Sequence, residues 1–314
     1  MLLRTAAVAI TATLVSIFSI SLLAVSLPAM AAPPPDAPSL APTNSTRISV
    51  ITEGTGPDVI LIPGLASSSD VWAATAAQLR PKYRVHLVQV AGFAGAAAGP
   101  NATGNIAAPV AKAIADYVQH QQLKRPAIVG HSLGGEVALM LAARHPELVG
   151  RLVVVDALPF FSLLFQADAT AESVAPAATT FRDAMLATPK EQADAMQAAA
   201  VARLVKTESA RSAVVAAALR SDRATVANAS YELMTTDLRP ELGRIQAPVS
   251  VIYAYDALFG QTAAFVDALY RSAYAGLANA SSMRFVRIDD SFHFVMLDQP
   301  QRFAEALEAA LVTD

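Results

Sequence analysis

Cysteine is absent from the 314 residues. That absence excludes disulfides, thiolate metal sites and a cysteine nucleophile together, and it says nothing against export. Charge is scarce as well: charged residues make up 16% of the chain and the net charge is −3. No run of Lys or Arg stands out, so neither a nucleic-acid footprint nor a patch for anionic membranes is indicated. The expected partner is a small molecule. What the chain has in abundance is apolar material, 54% of all residues, enough to bury one large core.

At the N-terminus, Arg4 precedes an apolar stretch from Ala6 to Leu27, followed by Pro28 and the small-x-small triplet Ala29-Met30-Ala31. This pattern predicts a signal peptide over residues 1–32 and a periplasmic or secreted location, with no stable membrane insertion after cleavage. The stretch also has the length of a spanning helix, which leaves an uncleaved anchor open. Residues 33–46 carry Pro33, Pro34, Pro35, Pro38 and Pro42 among small residues. That composition favours extended chain and predicts a linker.

From residue 47 onward, short β-rich runs alternate with helical ones. Strands are expected at Arg47 to Thr52, Asp58 to Ile62, Tyr83 to Val90, Ala127 to Gly130, Arg151 to Val155, Val249 to Tyr253 and Met283 to Ile288. The nearly uninterrupted apolar runs Val59 to Ile62 and Leu152 to Val155 suit strands covered on both faces. Strand–helix alternation predicts an α/β fold with a mostly parallel central sheet flanked by helices. Between about residues 158 and 245 the strand pattern stops and Ala-rich helical segments replace it. Because the strands resume at Val249, this is an insertion within one domain spanning 47–314, seated over one end of the sheet.

Gly130, Ser132 and Gly134 form G-x-S-x-G between the apolar run Pro126 to Val129 and a helical stretch beginning near Glu136. A strand-to-helix turn that sharp forces the serine into a strained conformation and needs glycines on either side. Ser132 is thus a candidate nucleophile, and a serine hydroxyl needs a base within reach and an acid to orient that base.

Gly-His-Ser-Leu-Gly-Gly, followed by Arg144-His145-Pro146-Glu147 and Leu152-Val153-Val154-Val155-Asp156, resembles the α/β-hydrolase superfamily, in the branch with a helical cap. The likeness runs from about Arg47 to Leu311, outside parts of the insertion. It implies a catalytic triad in the order Ser, Asp, His. Ser291-Phe292-His293-Phe294 through Asp298-Gln299-Pro300 resembles the family's histidine loop, which makes His293 the implied base. His131, His86, His120 and His145 are read as ordinary packing or surface residues. Asp256, at the end of the run Val251 to Tyr255, is the implied acid, although Ala254 and Tyr255 replace the family's usual glycine-containing turn. Asp156 is the rival acid, because some members place theirs after the preceding strand. The backbone N–H groups of Leu65, in Pro63-Gly64-Leu65-Ala66, and of Leu133 are the implied oxyanion donors.

The resemblance implies hydrolysis of a carboxylic ester of a small, apolar substrate through an acyl-enzyme, without cofactor or metal. Amide, lactone or carbon–carbon bond hydrolysis on the same triad, and non-catalytic ligand binding on the same scaffold, remain alternatives. Trp72 is expected to pack a helix. Phe160, Phe161, Leu163, Leu164 and Phe165 are expected either to line an apolar entrance or to seat the cap.

Overall fold

The computed structural model describes residues 38–312. The signal peptide expected over residues 1–32 and the first part of the expected linker lie outside the described residues. Among the described residues, no helix is long and apolar enough to cross a membrane.

Among the described residues, eight strands form one sheet: β1 (Ser39–Ala41), β2 (Ile48–Glu53), β3 (Asp58–Ile62), β4 (Arg84–Val90), β5 (Ala127–His131), β6 (Arg151–Val155), β7 (Val249–Tyr255) and β8 (Met283–Asp289). Their spatial order is β1-β2-β4-β3-β5-β6-β7-β8. β1 and β2 pair antiparallel, as do β2 and β4, and the remaining pairs are parallel. The helices are α1 (Ala73–Leu79), α2 (Ala107–His120), α3 (Leu133–Arg144), α4 (Ala171–Ala187), α5 (Lys190–Ala202), α6 (Glu208–Leu219), α7 (Arg223–Thr235), α8 (Ala263–Ala273), α9 (Val295–Asp298) and α10 (Pro300–Leu311).

The central strands are apolar because both of their faces are covered. In β3, Ile60 and Ile62 pack with α2 and α3, whereas Val59 and Leu61 pack with α1 and α10. The period of two along a strand therefore divides the core into two halves, one on each side of the sheet. Each fully buried Val, Leu or Ile contributes about 1.5–3 kcal/mol relative to exposure. β2 instead alternates buried and exposed residues, as an antiparallel strand near an edge does.

One sequence expectation changes here. Ser39–Ala41, assigned to the linker by composition, pairs with Val50–Thr52 as an edge strand. Pro38 and Pro42 flank the strand rather than interrupt it, so the ladder donors between them are retained.

The insertion between β6 and β7 carries α4 to α7, with α4 packed on α7 and α5 on α6. Phe160 and Leu163 are buried in its base, while Leu164 and Phe165 stay exposed. A carboxylate ties the insertion down. Glu232 of α7 accepts the N–H groups of Ile106 (2.5 Å), Ala107 (2.8 Å) and Ala108 (3.1 Å) at the start of α2. These amides have no partner within their own helix, and their dipoles favour an anion.

Candidate active site

Ser132 lies between β5 and α3 with φ 55° and ψ −124°, a left-handed region that non-glycine residues occupy only when their surroundings enforce it. The enforcement is visible on both sides. Ser132 N–H donates to Val155 O at 3.0 Å, and Ser132 O accepts from Gly135 N at 2.7 Å and Glu136 N at 3.1 Å. A Cβ on Gly130 would fall 2.0 Å from Gly134 O, and one on Gly134 would fall 2.4 Å from Ile62 O. Only glycine permits backbones this close. The turn of the sequence motif is thus a physical requirement, and it presents the serine at the C-terminal end of the sheet's central strands.

The turn after β3 comes up against the serine. A Cβ on Gly64 would lie 3.0 Å from Ser132 Cβ and 3.1 Å from His131 Nδ1, so a side chain there would crowd Ser132. Leu65 follows in this turn, half-buried, and Ala66 takes φ 54°. Leu133 is the first residue of α3 and is buried; at this position its amide precedes the first hydrogen bond of the helix. Leu133 thus directly follows Ser132, and Leu65 directly follows the glycine packed against it.

His293 stands in the loop between β8 and α9. Its Nδ1 is 2.7 Å from Asp156 Oδ2. With the Nδ1 proton directed to that carboxylate, Nε2 is left as the free base. The acid expectation is corrected at this point: the carboxylate on His293 belongs to Asp156, not Asp256. Asp156 immediately follows β6, the strand beside β5, and takes φ 45°. Its Oδ1 accepts from Ala254 N and from Tyr270 Oη, both at 2.9 Å. Burial and the neighbouring carboxylate push the Tyr270 hydroxyl well above its ordinary pKa, so it remains a donor. A carboxylate held at both oxygens by three donors has one orientation available to it.

Asp256 is engaged elsewhere. It caps the short turn after β7, with Oδ1 accepting from Leu258 N at 2.9 Å, and its Oδ2 lies 2.6 Å from Lys206 Nζ. The Lys206 ammonium holds the Asp256 carboxyl below the usual carboxylate range. Lys206 comes from the insertion, so no pattern near Asp256 in the sequence announced this pairing. Asp156, the rival acid of the sequence reading, directly follows four consecutive buried apolar positions on the strand next to that of Ser132.

One support of the histidine was missed. His131, read as an ordinary residue, is buried, and its Nε2 donates to His293 O at 2.9 Å. The two rings are tilted at a centroid distance of 4.5 Å. Burial, and then the positive charge His293 can carry, push the His131 imidazole down to about 3, so it is neutral at physiological pH. Trp72, expected to pack, does so: it is fully buried, 6.0 Å from Phe303 and edge-on to His131 at 6.4 Å. Among the described residues, no group of three or more His, Asp or Glu side chains is arranged to hold a metal ion.

Comparison with known proteins bears on the fold. The chain is 36% identical over 104 residues to an uncharacterised protein of Mycobacterium tuberculosis, covering 33% of this chain and 30% of that one. It is 32% identical over 118 residues to a pimeloyl-[acyl-carrier protein] methyl ester esterase of Vibrio vulnificus, covering 38% and 44%. The chain thus spans less than half the length of these curated relatives. Solved structures extend the likeness over nearly the whole fold. A hydrolase from Pseudomonas aeruginosa superposes with a TM-score of 0.69 at 20% identity, covering 88% of this chain and 98% of that one. An esterase from Exiguobacterium antarcticum gives 0.67 at 19% identity, covering 83% and 94%. A family model described as the alpha/beta hydrolase fold matches residues 57–300, and with that span the chain belongs to the α/β-hydrolase fold family.

Proposed function

We propose that this chain is a serine hydrolase that cleaves a carboxylic ester of a small, apolar substrate, with Ser132 as nucleophile, His293 as base and Asp156 as the acid that orients it. The observation carrying this reading is the 2.7 Å contact of His293 Nδ1 with Asp156, in a chain that also holds Ser132 at φ 55°. Ser132 Oγ attacks the ester carbonyl while His293 Nε2 takes its proton. The Leu65 and Leu133 amides face the oxygen that becomes negative. Such preorganised donors are worth on the order of 3 kcal/mol each. On collapse the alcohol leaves with the proton from His293, and water, activated by the same base, releases the acid from Ser132 and restores the hydroxyl.

The ester assignment draws on the named activities of the Vibrio and Exiguobacterium proteins. The leader-like composition of residues 1–32 supports action outside the cytoplasm, which N-terminal sequencing of protein purified from an expressing bacterium checks.

Fluorophosphonate labelling, followed by rates on esters, lactones and amides of graded acyl length, tests the mechanism. Labelling of the wild type, none of Ser132→Ala, and turnover fastest on esters are expected. Equal rates in wild type and Ser132→Ala would refute it.

A further inference from the structure

The histidine loop is also held by a second carboxylate. Asp298, the last residue of α9, accepts three backbone N–H groups: Phe292 N at 2.9 Å and Lys206 N at 3.1 Å on Oδ2, and Thr207 N at 2.8 Å on Oδ1. Phe292 immediately precedes His293. Lys206 and Thr207 belong to the segment between α5 and α6 of the insertion. One side chain therefore bonds the base's own loop and the cap together.

Other contacts make the segment a strap. Phe294 N donates to Leu204 O at 3.2 Å, so both neighbours of His293 are bonded to the cap or to the carboxylate that holds it. Val205 is fully buried in the same cluster as Phe294. Arg211 of α6 donates to Val205 O at 2.8 Å and to Lys206 O at 2.9 Å. Lys206 reaches Asp256 through Nζ and lies 5.9 Å from the Phe292 ring centroid. The bonds to Asp298 are charge-assisted and roughly twice as strong as neutral ones.

We infer that Asp298 is a positioning residue that sets His293 against Ser132 and Asp156 by docking the cap segment Leu204 to Thr207 onto the histidine loop. The inference rests on the serine-hydrolase reading above. Asn at this position keeps the shape but turns an amide donor toward backbone N–H groups, so at least one of the three bonds is lost and the loop shifts. Displacing a catalytic group by about 1 Å costs on the order of a hundredfold in rate.

The test compares wild type, Asp298→Asn and Thr207→Pro, measuring kcat and KM on a short-chain ester, the fluorophosphonate inactivation rate and the thermal melting point. Thr207 has φ −69°, which proline matches, so Thr207→Pro removes one donor from the cap side without a change of φ at that residue. The expected result for Asp298→Asn is a fall in kcat of at least tenfold with KM within threefold, an equal fall in inactivation rate, and a protein still folded at the assay temperature. Thr207→Pro is expected to lose about fivefold in kcat with KM unchanged, and it carries the test alone if Asp298→Asn does not fold. A folded Asp298→Asn with wild-type kcat, or a loss confined to KM, overturns the positioning role. Unchanged kcat in Thr207→Pro overturns the coupling to the cap. A folded wild type that is not labelled at all overturns the serine-hydrolase reading itself, which separates the two failures.

Discussion

Acidification offers a direct measure of what the buried His131 contributes. In the folded chain burial depresses its imidazole to about 3, against 6.5 for an unperturbed histidine. Below pH 6.5 the unfolded chain therefore binds a proton that the folded chain refuses, and stability present above that pH is lost as the pH falls towards 3. Taking those two values, the loss between pH 7.5 and pH 5 is about 2 kcal/mol, approaching about 5 kcal/mol near pH 3. Other groups titrate over the same range, so the comparison is with His131→Gln, whose side-chain amide keeps a donor towards His293 O but does not ionise. Urea unfolding of both proteins at pH 7.5, 6 and 5 gives the difference. The wild type is expected to lose about 2 kcal/mol more than the variant between the extremes, most of it below pH 6. Parallel losses in the two proteins would refute the reasoning, because His131 would then take up its proton without unfolding.

The acid assignment predicts opposite outcomes for two aspartates: Asp156→Asn lowers kcat by roughly 10³–10⁴, and Asp256→Asn by less than about tenfold, on the same ester and at constant pH. Glu232→Ala strands three amides at the start of α2 and is expected to cost about 2–3 kcal/mol in urea unfolding. Glu136 of α3 is buried, and burial together with the Glu232 charge pushes its carboxyl well above the usual range. The stability of its protonated form is fully present below the unfolded carboxyl's range and lost as pH rises through the folded value. Glu136→Gln should accordingly raise the melting point at pH 8 relative to wild type and leave it nearly unchanged at pH 4; an equal shift at both would count against a protonated Glu136.

The strands were legible because their burial is written into composition. Asp58 to Ile62 and Arg151 to Val155 have the same bounds in sequence and structure, since only a strand covered on both faces needs so unbroken an apolar run. The edge strand Ser39–Ala41 was not legible. Its stability comes from pairing with β2, and three residues between prolines carry no periodicity of their own. The apolar group at the start of the insertion was legible only as apolar. Phe160 and Leu163 went into the packing and Phe165 to the surface, a choice made by the helices that arrive later in the chain.

The same division runs through the site. The serine turn was readable from its glycines at 130 and 134, because a Cβ at either position would fall 2.0 or 2.4 Å from a backbone oxygen. The sequence by itself also determined the region of the histidine, a loop between the last strand and the terminal helix. Which carboxylate faces His293 was decided only in three dimensions. Both Asp156 and Asp256 stand at strand ends in the right chain order. Asp256 is neutralised by Lys206, fifty residues earlier, whereas Asp156 is aimed by Tyr270 and Ala254 N, about a hundred residues later. A charge settles where distant donors meet it, and those meetings are set by how the cap and α8 pack on the sheet.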